Sequence, residues 1–409
     1  MIRRFFRYCN KVFDLPRILR TIQDGREQPE ISGDAIWLSM LSLFVLRLGG
    51  LNALEEEFRE KQRRKKWKKL LGDRPPSAEA IGYYAERLDC DSLRSVLIFL
   101  YTCLQRKRHI RKFRIHGRLV LAVDGHELFC SYRLNCNDCC QRTLTTKQGE
   151  RLQFYHRIVV ASLVGGPIPL PLDAEEVRPG EDEIAAAVRL LERIQRHYPK
   201  AYDVITGDAI YADPRIYSFL RKHRKHLIAV LKENHPDLLE DARSVCALLK
   251  PVCWKEGRNE YTWWDTEGFT TWNSIENSVR VVQSQETKKV KGEWRTSDWF
   301  WVTTLSMAEA TTRAIWEMGH RRWEIENQCF NTLVTHGHLN HNFRHHLNAI
   351  LAFVLTNFIA FVLTHAFYQF NLKPEARKNR SLSSMIREFW MTLDELLSEC
   401  ARIRTARGP

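Results

Sequence analysis

The chain has 409 residues, 44% of them hydrophobic and 27% charged, a balance that excludes a disordered or fibrous protein and suggests about 2–4 domains of ordinary size. Its formal net charge of +14 favours polyanionic partners, nucleic acid ahead of acidic membrane. Eleven cysteines, an odd number, and a basic opening with no apolar leader behind it point to a reducing compartment without disulfides.

Residues 1–33 read as a basic lead-in, and 35–48 as an apolar helix that stops at Gly49-Gly50. Positions 59–69 hold eight basic residues in eleven. Pro75-Pro76 then punctuates, and Ser77 caps a helix over 78–88. Residues 1–114 are therefore expected to form a basic helical domain, with a second basic run at 106–118 leading into the first strand. Strands are expected at 119–123, 157–164 and 167–172. In the stretch 182–198 Ile184, Val188, Leu191 and Ile194 recur at helical spacing. A strand at 202–206, a helix from Pro214 to about 222 and a strand at 226–231 complete a mixed α/β sheet over 115–234. Residues 235–297 break this rhythm and read as a β-rich insertion. The core resumes over 298–370, with a strand at 299–305 and one long helix over 308–333. Residues 347–370 are long and apolar enough to span a bilayer, but Asn348, Thr356, Asn357, Thr364 and His365 interrupt them, so a helix buried against the sheet is expected, not a membrane span. A helical tail is expected over 371–409.

Three carboxylates stand where a metal site is built. Asp124, before Gly125, closes the first apolar run; Asp208 closes a second; Glu326 lies on the helix after the insertion. Ligand sites of open α/β sheets collect beyond the carboxyl ends of strands, and Mg²⁺ takes oxygen ligands. Each aspartate alone reads better as a strand end or turn cap; the joint pattern with Glu326 favours metal. Arg322 and Glu326, four residues apart, share a helix face on which they pair or on which Arg322 meets a phosphate, whereas Glu324 points elsewhere.

Cys130, Cys136, Cys139 and Cys140 form a second group, with His126 and His156 nearby. The pair Cys136-x-x-Cys139 offers half of a structural Zn²⁺ site in the loop after Asp124, without a second pair of matching spacing; ordinary buried cysteines are the plainer reading. A third group, His336, His338, His341, His345 and His346, reads as polar contacts to DNA or helix-end histidines before metal ligands. Lys65, Lys66, Lys68, Arg111 and Lys112 in the basic runs are expected to contact phosphates, with Trp67 and Phe113 interleaved for stacking.

Several strings taken together resemble bacterial insertion-sequence DDE transposases: Asp124-Gly125-His126-Glu127, Tyr155-His156-Arg157, Asp208-Ala209-Ile210-Tyr211 and Arg322-Trp323-Glu324-Ile325-Glu326-Asn327. The resemblance covers about 115–365 and implies an RNase H-like mixed sheet with flanking helices, interrupted by a β-rich insertion, plus the N-terminal helical domain. It implies that Asp124, Asp208 and Glu326 are the catalytic triad and hold two Mg²⁺ ions, Mn²⁺ being able to substitute. It also implies double-stranded DNA as substrate, a homodimer on that DNA, the bacterial cytoplasm as location, and no membrane partner. Trp254, Trp263, Trp264 and Trp272 of the insertion would then hold DNA ends or a flipped base. The chain departs from the family pattern at Gly319, where many relatives carry a tyrosine, and at Leu333, where they carry a lysine. Two further readings stay open, a nuclease of the same fold without strand transfer and an inactive transposon-derived DNA-binding protein.

Overall fold

Residues 119–123 are buried to the last side chain, so their strand has to lie inside a sheet with both faces covered. In the computed structural model, which describes residues 1–147 and 149–393, they belong to β2 (Arg118–Ser131) of a mixed sheet. The two-residue β1 (Arg114–Ile115) pairs with the start of β2. On one side β2 runs antiparallel to β4 (Gly149–Val164), which pairs with both β3 (Cys140–Thr146) and β5 (Leu170–Glu176). On the other side β2 is parallel to β6 (Val204–Gly207), and β6 to β7 (His226–Val230).

Helices fill the connections. The chain begins with α1 (Ile2–Phe13), α2 (Leu15–Thr21), α3 (Gly33–Val45), α4 (Leu51–Arg59), α5 (Lys61–Leu71), α6 (Ala78–Arg87) and α7 (Cys90–Arg106). Ser77 accepts a hydrogen bond from the Ala80 N–H and so caps α6 as its sequence position predicts. The crossover from β5 to β6 is α8 (Glu183–His197), capped by Asp182. From β6 to β7 it is α9 (Pro214–Lys222), with Asp213 as cap and Pro214 in the first turn.

The region after β7 starts as a helix, α10 (Pro236–Leu248), and only then becomes β-rich, with β8 (Val252–Glu256), β9 (Asn259–Phe269), β10 (Val279–Val290) and β11 (Glu293–Thr303). These strands extend the central sheet, since β11 pairs antiparallel with β7 through Trp301–Val230 and Val302–Ala229. The long helix expected over 308–333 is broken. It divides into α11 (Thr312–His320), a π-helical turn Ile325–Phe330, and α12 (Asn331–Gly337). A π-turn bulges the helix locally and is found most often at functional sites.

The apolar segment becomes α13 (Leu347–Ala366), packed against α3, α6, α7 and β5. It is part of the one helix among the described residues long and apolar enough to cross a membrane, and 89% of its most apolar window is buried by protein. Its polar interruption has a partner: Asn357 Nδ2 donates to the Gly337 carbonyl at 2.9 Å, closing the end of α12. Two short helices follow, α14 (Pro374–Lys378) and α15 (Leu382–Met391); the remainder of the expected tail lies outside the described residues.

Candidate active site

Asp124 does not end its strand, contrary to the sequence expectation. It sits in the middle of β2 opposite Val160, because the ladder with β4 continues well past it. Asp208 does follow its strand, at the carboxyl end of β6, and its side chain accepts from the Ile210 N–H at 3.1 Å. The parallel register pairs Ala122 with Thr206, so the strand of Asp124 runs beside the end of the strand that Asp208 follows. Glu326 comes from the π-turn, which lies against β2 and β4.

Arg322 links the helix to the strand. Its guanidinium is buried, donates to Glu326 Oε1 at 2.6 Å and lies 3.6 Å from Asp124 Oδ2. Of the two roles the sequence offers Arg322, pairing with Glu326 or meeting a phosphate, the structure shows the pair. Burial pushes the Asp124 carboxyl up to about 7; Arg322 opposes this, and the nearby charges of Glu326 and Asp208 add to it. Asp124 therefore feels the charge of both other acids as well as that of Arg322. Glu324 serves the packing of the turn beside them. Its Oε2 accepts from the Gly165 N–H at 2.7 Å and its Oε1 from Arg321 at 2.6 Å, which holds the β4–β5 turn.

Beneath the triad is a layer that the sequence leaves unassigned. Glu183, the first residue of α8, is buried, ion-paired with Arg157, and accepts from the Tyr211 hydroxyl at 2.9 Å. Burial raises its carboxyl, and Arg157 and Tyr211 hold it back. Gly125 makes the room. A Cβ there would overlap Glu183 Oε2, so the glycine serves close approach inside a strand and makes no tight turn. Arg157 and Tyr211 belong to the strings noted in the sequence; only the fold supplies their common partner. Nothing in the sequence around Glu183 distinguishes it from a helix-start acid.

The other expected residues are scattered or reassigned. Lys65, Lys68, Arg111 and Lys112 are exposed and Lys66 is half-buried. Trp67 and Phe113, expected to stack on bases, are buried in the helical region, Trp67 edge-on to Phe58. Trp263 and Trp272 are also buried, and Trp254 stacks on Tyr261 beside Trp316. The two departures from the family pattern are packing choices. A Cβ at Gly319 would lie 2.5 Å from the Trp301 indole nitrogen, and Leu333 is core.

Cys136 and Cys139 lie between β2 and β3, and their sulfurs meet two histidines. The only group of metal-ligand side chains among the described residues whose donor atoms all fall within 4.8 Å of one another is Cys136, Cys139, His156 and His345. The sequence puts His156 near the cysteines but groups His345 with the polar helix-end histidines.

Residues 115–363 match the family described as transposase DDE domain. The chain belongs to that family. Asp124, Asp208 and Glu326 all fall inside the matched span, as do Glu183 and the Cys/His group. A comparison with curated proteins finds no match. Among solved structures the chain is similar to the NurA nuclease from Sulfolobus solfataricus, at 9% identity over 54% of this chain and 81% of that one. The TM-score of 0.21 makes that likeness too slight to bear on fold or function. Membership of the transposase DDE family makes this a transposase and a nucleic-acid-cutting enzyme whose substrate is DNA and whose chemistry draws on divalent metal ions.

Proposed function

We propose that this transposase cuts DNA at the ends of an insertion element and joins the freed 3′-hydroxyl ends to target DNA. Asp124, Asp208 and Glu326 would hold two Mg²⁺ ions, with Mn²⁺ able to substitute. The observation that carries this reading is that Arg322 bonds Glu326 and reaches Asp124, while Asp208 follows the strand parallel to that of Asp124 and its charge acts on the Asp124 carboxyl. The donor set is all oxygen, as Mg²⁺ requires, and the raised Asp124 marks a cluster that a cation would stabilise. Bound there, such ions lower the pKa of an attacking water and stabilise the leaving oxygen of an in-line displacement. The chain's own residues do the rest. Arg322 holds the Glu326 side chain toward Asp124, and the Arg157–Glu183–Tyr211 layer fixes the floor under β2 and β6. No protein nucleophile is needed, because the carboxylates position and do not bond.

The strand order β5-β4-β2-β6-β7, with two antiparallel and then two parallel pairings, supports an RNase H-like core running over 115–234 and 298–370. Lys65, Lys68, Arg111 and Lys112 would contact phosphates on the helical side, over 1–114. In the insertion, the exposed tip of the β10–β11 hairpin, with Lys289, Lys291, Trp294 and Arg295, is a better candidate for DNA than the buried tryptophans. Joining two ends calls for two active sites, so a homodimer on DNA is expected, in the bacterial cytoplasm with the nucleoid.

The test is a joining assay. DNA ending in the sequences that flank the gene is mixed with a supercoiled plasmid, Mg²⁺ and the full chain. Joined product supports transposition; cleavage without joining would favour a nuclease; binding without cleavage would favour an inactive derivative.

A further inference from the structure

Cys136, Cys139, His156 and His345 lie far apart in the chain and are brought together only by the fold. The two cysteines come from the β2–β3 connection, His156 from β4 opposite Phe129, and His345 from the segment between α12 and α13. The separations between donor atoms are 3.6 Å for Cys136 Sγ to Cys139 Sγ, 3.4 and 3.3 Å from these sulfurs to His156 Nε2, and 3.3 Å for both Cys139 Sγ and His156 Nε2 to His345 Nε2. A tetrahedral Zn²⁺ with ordinary bond lengths sets its ligands about 3.8 Å apart for two sulfurs, about 3.6 Å for sulfur and nitrogen, and about 3.3 Å for two nitrogens. The observed values follow that order and fall within a few tenths of an ångström. Both histidines present the same ring nitrogen, Nε2. The Cys136 N–H donates to Cys139 Sγ at 3.3 Å. Phe129 packs against both imidazoles, at 5.4 and 5.5 Å between ring centres, and fixes their planes. Cys139 and His156 are buried, and the other two half-buried.

We propose that these four residues bind one Zn²⁺ ion as a structural clip. Four protein ligands close the coordination sphere and leave no position for water or substrate, which separates this site from the catalytic one. Its place defines what it fastens. His345 follows the π-turn that carries Glu326, with α12 and a short loop between them; His156 shares β4 with Arg157, and β4 pairs with the strand of Asp124. The clip therefore ties the chain after the helix of Glu326 to the strand of Asp124 and its neighbour β4. A weaker tie runs alongside: His126 Nε2 meets Asn340 Oδ1 at 2.7 Å, and the His126 ring stacks on Phe330. The role is one of positioning, with no contact to substrate.

The full chain, purified under reducing conditions from zinc-supplemented cells, should carry about one zinc per chain by mass spectrometry of the metal. Replacement by Co²⁺ should give the intense visible bands of a tetrahedral site with two thiolates. Cys136→Ser with Cys139→Ser should remove both signals. His345→Cys should keep the metal and shift the Co²⁺ bands toward a three-thiolate site, whereas His345→Ala should weaken metal affinity about 10-fold or more. Asp124→Asn should leave the zinc in place. Zinc-free protein that gains no tetrahedral Co²⁺ spectrum would overturn the proposal. So would a full zinc complement in the double cysteine variant, which keeps the proposal falsifiable even if His345→Ala fails to fold.

Discussion

The two ligand clusters of this chain are built on opposite principles. The Cys/His group is compact, with two of its four members buried and five of its six donor separations at 3.3–3.6 Å, near those of a tetrahedral ion. The carboxylate triad is open: Glu326 keeps 38% of its side-chain surface, a buried arginine stands among the acids, and Asp124 is pushed up to about 7 by burial and its neighbours. A closed set that needs no rearrangement suits a permanent structural ion; an open and electrostatically uneasy set suits ions that arrive with a substrate phosphate. The difference teaches that burial and spacing set the proposed structural zinc group apart from the proposed catalytic acids.

The comparison is sharpened most by the triad itself. Asp124→Asn, Asp208→Asn or Glu326→Gln should each lower Mg²⁺-dependent cleavage by roughly 10³-fold, measured as initial rates, while zinc content stays near that of the wild type. Next in size is Cys136→Ser with Cys139→Ser. This variant should lose roughly 5–10 °C of melting temperature and part of the activity, with the Mg²⁺ concentration dependence little changed. Gly125→Ala should cost about 1–3 kcal/mol in chemical denaturation and also impair cleavage, because the added methyl collides with Glu183. Tyr211→Phe is the gentler probe of the same layer and should cost about 1 kcal/mol.

A third buried acid provides a contrast in pH. Glu286 in β10 accepts from His320 at 2.5 Å and from the Trp316 indole at 2.8 Å and is ion-paired with Lys288. Although burial works against it, the bonds and charge of His320 and the Lys288 contact bring it down to about 2, the reverse of Asp124. A depressed carboxyl adds stability that is present above its unfolded range near 4.5 and lost as pH falls through about 2. Melting curves of the wild type and Glu286→Gln should therefore differ at pH 5 and converge toward pH 2. Convergence at neutral pH instead would show that Glu286 does not anchor the insertion to α11. The smallest effect is expected at the basic surface, where Lys65→Ala with Lys68→Ala should lower the salt slope of DNA binding by about 2 without changing the cleavage rate at saturation.

Much of the fold is legible in the sequence because it rests on local patterns. The apolar run at 119–123, the cap at Ser77 and the proline start of α9 each carry their own signal. Asp124, Asp208 and Glu326 stand out in the sequence as three acids in characteristic surroundings, and Glu326 differs from Glu324 in helix face, in keeping with the Glu324 bond to Gly165. What is not legible depends on long-range meeting. The π-turn around Glu326 leaves no mark in residue periodicity, so the pattern predicts one long helix. Glu183, at the start of α8, becomes important only when Gly125 approaches it from β2. His345 joins the cysteines across most of the domain, and spacing along the chain gives no hint of that. The tryptophans of the insertion and Trp67 look available for DNA because sequence does not reveal which face of a strand or helix is covered.

The central claim, that Asp124, Asp208 and Glu326 act together as the cutting site, is tested most directly by the rate of Mg²⁺-dependent DNA cleavage in the wild type and in Asp208→Ala, with matched folding and zinc content. Wild-type cleavage that is lost in Asp208→Ala while DNA binding persists is the predicted result. Cleavage at the same rate in both proteins would contradict the account.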